Sequence, residues 1–131
     1  MEQNEKTKAL LAAFGCALAY LLVGKALAAV LPQVPEEAAR MWAFVHRCAA
    51  APIVEELVFR GIIQQLARPL GERQAVALQA VLFAVQHRGP AGMAYALVCG
   101  LVLGTLRSRT GSVWPGMLLH TLNNLLVFAA G

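Results

Sequence analysis

Glu55 and Glu56 stand side by side in Ile53-Val54-Glu55-Glu56-Leu57-Val58-Phe59-Arg60-Gly61, a stretch otherwise apolar enough to lie inside a membrane. An ionised group at bilayer depth is costly, so such residues are rare and usually mark a functional site with a partner close by. His87, His120 and Asn124 occupy other apolar stretches. A carboxylate and a histidine can activate a water, while histidine and asparagine N–H groups can hold an oxyanion. If these residues converge inside a helical bundle, the chemistry they suit is hydrolysis.

Helical spacing divides the labour. Residues four apart share a helix face, so Glu56 and Arg60 form an ion pair with the acidic residue N-terminal, the better order. Glu55 lies about 100° around the helix from Glu56. It is left facing the cavity without a local cation, as suits a general base. His120 and Asn124 are also four apart and can point at one site. Counted along their helices from the turns on the more basic side, Glu55 and His87 lie roughly 20 Å deep, and His120 and Asn124 roughly 10 and 16 Å deep.

The elements that must position these groups are long apolar blocks. The chain has 131 residues, 59% of them hydrophobic and 14% charged, against roughly 25% charged in an ordinary soluble domain. The first block runs from about Leu10 to Leu31, long enough to span a bilayer. Ala26-Leu27-Ala28 resembles a cleavage site, so the competing reading of this block is a signal peptide; the long run, and Lys25 just before the site, favour a retained helix. Pro32 and Pro35 mark a loop. A second, more polar helix follows from about Met41 to Ala67, with Pro52 placed to kink it just before the carboxylates. The third runs from about Gln74 to His87, and Arg88-Gly89-Pro90-Ala91-Gly92 breaks it. The fourth runs from about Met93 to Arg107 and carries Gly100-x-x-x-Gly104, a spacing that permits close helix contact. The last runs from about Val113 to Phe128. The third and fourth are short for spanning helices. The expectation is an all-α, polytopic membrane bundle of about five transmembrane helices. Residues 1–131 make one domain: 1–40 the first helix and its loop, 41–128 the core that carries the polar residues.

Charge and cysteine placement fit this reading. The net charge of +4 does not come from a basic face. Lys6, Lys8, Arg68, Arg73, Arg107 and Arg109 sit in pairs at block ends, the pattern of membrane topology and not of nucleic-acid binding. The positive-inside rule places the N-terminus in the cytoplasm. Trp42 and Trp114 fall at opposite interfaces, and His46 and Arg47 read as interface residues beside Trp42. Cys16, Cys48 and Cys99 are odd in number and lie in or beside apolar blocks, as small buried hydrophobes do.

The pattern Glu55-Glu56-x-x-x-Arg60, then Phe83-x-x-x-His87, then His120-x-x-x-Asn124 resembles the three-motif signature of the CAAX protease and bacteriocin-processing family. These are glutamic-type intramembrane endopeptidases related to type II CAAX prenyl endopeptidase. The resemblance covers about Met41 to Phe128. It implies that Glu55 is the general base, that His87 helps to orient and deprotonate the water, and that His120 and Asn124 form the oxyanion hole, with Glu56 and Arg60 in support. It implies a membrane-tethered or lipid-modified protein or peptide as substrate, in a multi-pass protein of the cytoplasmic (inner) membrane. No cofactor is expected, although these ligand types could bind a divalent metal such as zinc. Two other readings compete. A non-enzymatic immunity or scaffold protein of the same fold should tolerate loss of Glu55, His87 or His120, all present here. A proton-coupled transporter would show an internal repeat, which the chain lacks.

Overall fold

The computed structural model describes residues 1–131, and they form five helices without strands: α1 (Glu2–Val30), α2 (residues 36–66), α3 (Glu72–Ala84), α4 (Gly89–Thr110) and α5 (Trp114–Ala130). The number and order match the apolar blocks. The ends differ, and proline explains most of the difference. Leu31, just before Pro32, takes the extended conformation (φ −70°, ψ 137°) that a following proline ring imposes, so α1 stops there. Pro35 caps α2, and Glu36 and Glu37 fill its first turn, where carboxylates complement the helix dipole. The helix therefore starts five residues before Met41. Pro90 does not break the chain. It sits in the first turn of α4, where its missing N–H costs nothing. That makes α4 a helix of 22 residues, long enough to span, in contrast to the short block expected. Conversely α3 ends at Ala84 and has 13 residues, so His87 lies on the turn beyond it. Gly111, at φ +70°, closes α4 with its N–H on the Arg107 carbonyl, a left-handed cap that glycine adopts without strain.

The long α2 is not a uniform α-helix. Residues His46–Ala50 and Glu56–Ile63 are π-helical, with α-helical turns between and around them. Pro52 is buried in the middle of this helix and does not end it. Single π turns tend to occur at functional sites, and here the second begins at Glu56.

Packing proceeds through small residues. Ala9, Ala13 and Ala17 form the buried stripe of α1. Next to it Tyr20 meets Phe59 of α2 edge-on, ring centroids 5.3 Å apart. The α3–α4 hairpin is the most extensive pairing in the bundle. A Cβ on Gly100 would lie 2.9 Å from the Ala80 Cα, so the helix backbones touch there. The Gln79 amide crosses the same seam and donates to the Gly100 carbonyl at 2.7 Å. Gln64 does likewise from α2, donating to the Gly104 carbonyl at 3.0 Å. Gly100→Val should push these backbones apart and destabilise the fold by about 1–3 kcal/mol, the usual cost of overpacking. Thermal unfolding in detergent reads this, and a transition unchanged from wild type would refute the close approach.

The outside of the bundle is apolar. The chain exposes 8558 Å², whereas a soluble monomer of its mass exposes about 6,700 Å². Leu11, Leu18, Val98, Leu118, Leu126 and many similar side chains contribute to that surface. Two helices, Glu2–Val30 and Gly89–Thr110, are long and apolar enough to cross a membrane.

Candidate active site

Phe83, near the C-terminus of α3, is the apolar pivot of the site. Its buried ring lies edge-on to Phe59 (centroids 5.2 Å), to His87 (4.7 Å) and to His120 (5.9 Å). The Arg60 guanidinium sits over its face, Cζ 4.4 Å from the centroid. One aromatic side chain thus fixes both histidines and the cation relative to each other.

Behind this platform is a buried charged cluster. Glu56 and Arg60 are fully buried, with Arg60 Nη1 3.3 Å from Glu56 Oε1. The ion pair read from the i, i+4 spacing is present, but it is not exclusive. His120 Nδ1 is 2.9 Å from the same Glu56 oxygen, and His120 Nε2 is 3.5 Å from Glu55 Oε2. Glu55 lines the cavity, as its place on the helix led one to expect, and its close polar neighbour there is His120. His120, from α5, reaches between the two glutamates and touches both. The arrangement needs space on α5, and Gly116 supplies it: a Cβ there would lie 2.8 Å from Glu56 Oε2.

In front lies an open cavity of about 330 Å³. Its walls include Glu55, His87, His120 and Asn124, so residues from α2, the α3–α4 turn and α5 meet at one place. Glu56 and Arg60 stay behind it. Being past the end of α3 suits His87. Its Nδ1 lies 3.0 Å from the Phe83 carbonyl, which orients the ring. Asn124 is placed differently. Its Nδ2 donates to the backbone carbonyl of Arg47 at 2.8 Å, joining α5 to the first π turn of α2.

His46, Arg47, Tyr95 and Asn123 also line the cavity. Sequence reasoning left the first two at the interface, treated Asn123 only as the neighbour that a shift of helix register would exchange with Asn124, and passed over Tyr95. Only the adjacency of Asn123 to Asn124 offered a signal; Tyr95 is one of several polar residues among apolar neighbours on α4. A second, smaller and almost wholly apolar cavity of about 210 Å³ lies between α4 and α5, with His120 and Asn123 at its polar end. Nowhere do three or more His, Cys, Asp or Glu side chains form a group that could hold a metal ion.

Residues 37–126 match the model of the type II CAAX prenyl endopeptidase Rce1-like family. The chain belongs to this family. The matched region holds α2 through nearly all of α5 and every residue of the cavity wall except Val127. The family is a protease family whose members are integral to membranes, in keeping with the apolar exterior and the two long apolar helices. No curated protein and no solved structure matches the chain significantly.

Proposed function

We propose that the protein is a glutamic-type intramembrane endopeptidase. It hydrolyses a peptide bond in a membrane-tethered or lipid-modified protein, the substrate class the family's name suggests. The observation that carries the reading is the single cavity walled by Glu55, His87, His120 and Asn124, in a chain of a protease family. Glu55 takes a proton from a water that His87 helps to hold, and the oxygen attacks the scissile carbonyl carbon. The carbonyl oxygen becomes an oxyanion. Asn124 Nδ2–H and His120 Nε2–H stabilise it, the latter with Nδ1–H on Glu56. Collapse breaks the C–N bond, and the proton held by Glu55 passes to the leaving amine. The step needs no metal. Arg60 and Glu56 act behind the site by holding His120. The protein sits in the cytoplasmic membrane as a multi-pass bundle with its N-terminus in the cytoplasm.

The test compares membrane-protein termini in cells carrying wild-type protein or Glu55→Ala at matched levels. A new terminus present only with wild type is the expected result, and it names the substrate. Identical termini, with Glu55→Ala still rescuing the phenotype of deletion, would leave a non-enzymatic scaffold as the better reading.

A further inference from the structure

Pro52 leaves a mark on the site that begins in backbone chemistry. In the π turn of α2 the Ala51 N–H goes to the His46 carbonyl. The residue five positions after Arg47 is Pro52, which has no N–H. Neither of the donors that an α or a π turn would offer is therefore available to the Arg47 carbonyl. Asn124 Nδ2 fills the vacancy from α5, donating to that carbonyl at 2.8 Å.

That contact fixes which way the Asn124 amide faces. A carbonyl oxygen only accepts, so the nitrogen of Asn124 must be the atom turned to Arg47, and Oδ1 must face the other way. There Asn123 Nδ2 donates to Asn124 Oδ1 at 3.3 Å. The remaining oxygen of Asn123 then has to meet a donor, and the Tyr95 hydroxyl of α4 donates to it. The polarity runs in one direction through the series: Tyr95 hydroxyl, Asn123 amide, Asn124 amide, Arg47 carbonyl. It leaves one N–H of Asn124 Nδ2 uncommitted, on a residue that lines the cavity.

We propose that Asn123 and Tyr95 are positioning residues, which hold the Asn124 amide so that a nitrogen, and never its oxygen, is presented to the reacting carbonyl. The role rests on the reading of Asn124 as an oxyanion donor. It gives an assignment to two cavity residues on α4 and α5 that form no part of the Glu-Glu, Phe-His and His-Asn motifs. Neither residue need touch the substrate to act in this way.

The decisive variant is Asn123→Asp. It has nearly the same shape as asparagine, so a residue that merely packs tolerates it. In the relay it sets an oxygen against Asn124 Oδ1 and favours the flipped amide, with oxygen facing the cavity. Purified full-length protein in liposomes is assayed on a prenylated peptide ending in a CAAX sequence, with kcat and KM determined separately. At metal sites, loss of a hydrogen bond that orients a ligand costs about 10–100-fold in activity, and loss of one that orients an oxyanion donor should be of the same order. Tyr95→Phe and Asn123→Ala are expected to lower kcat at least about 10-fold at nearly constant KM, within that range. Asn123→Asp is expected to be worse than Asn123→Ala. Removing one oxyanion donor costs about 10²–10³ in kcat, so Asn124→Ala sets the floor, and Tyr95→Phe/Asn124→Ala should fall no lower than Asn124→Ala alone. Wild-type kcat in Tyr95→Phe or Asn123→Asp overturns the relay, as do multiplicative losses in the double variant. Wild-type kcat in Asn124→Ala overturns the oxyanion assignment itself and the relay with it. Thermal unfolding of each variant in detergent identifies any loss that comes from misfolding, and Tyr95→Phe, which removes only an exposed hydroxyl, is expected to unfold as wild type does.

Discussion

Glu55→Gln lowers kcat for cleavage of a membrane-tethered peptide by about 10²–10⁴-fold, the range over which a positioned general base contributes, while the protein stays folded. The substitution preserves size, and its amide oxygen can still accept from His120 Nε2, 3.5 Å away in the native site. It removes the ability to take a proton from water. Glu55 differs in this from Glu56: Glu55 keeps some exposure to the cavity, with 19% of its side chain accessible, whereas Glu56 has 1%. A base must reach a water, and only the first carboxylate does so. His87→Ala should also depress kcat through loss of water orientation, again without unfolding, since the ring hydrogen-bonds only to the Phe83 carbonyl four residues before it. Initial rates in liposomes, with monodispersity and thermal unfolding as controls, measure both effects. A Glu55→Gln protein that cleaves at the wild-type rate, or that is impaired in KM alone, would remove Glu55 from the role of base.

The five helices and their order were legible because apolar blocks alternate with basic and proline- or glycine-containing breaks. What misled the reading of their ends was the position of each proline. Pro90 reads as a break in sequence but starts α4, because a helix's first turn has no use for the missing N–H. His87 looked like the end of a helix, and the turn that carries it depends on where the α3–α4 hairpin closes. Within the site, the i, i+4 logic gave the Glu56–Arg60 pair and the shared face of His120 and Asn124, both local relations. It could not give the insertion of His120 between two glutamates, which depends on α5 packing against α2 at Gly116. Nor could it give the bond from Asn124 to the Arg47 carbonyl, which exists because a π turn and Pro52 together withhold that carbonyl's own donors. The π turns have no marker in the residue pattern, and they change the register on which 100° arithmetic relies.

The largest stability effect is expected at Arg60, and the same residue separates holding the fold from running the chemistry. Its guanidinium is fully buried, pairs with Glu56 at 3.3 Å and lies over Phe83. Arg60→Met leaves Glu56 as a buried carboxylate whose only close partner is His120. Breaking a buried pair from one side costs about 3–5 kcal/mol, enough to unfold a marginal membrane domain or to leave it scarcely detectable in the membrane. Removing both charges is a different matter. Replacement of a buried pair by apolar residues of similar volume is often neutral or stabilising, so Glu56→Leu/Arg60→Met should recover most of the lost stability, read as the denaturing midpoint in detergent. Activity should not recover with it. His120 Nδ1 would have lost the carboxylate that holds it at 2.9 Å, and the ring would be free to turn away from the cavity. A folded but inactive double variant beside an unfolded single variant is the expected pair of results. A stable Arg60→Met would mean that Glu56 is satisfied by His120 alone. A double variant that cleaves normally would mean that Glu56 holds the fold and has no part in orienting His120.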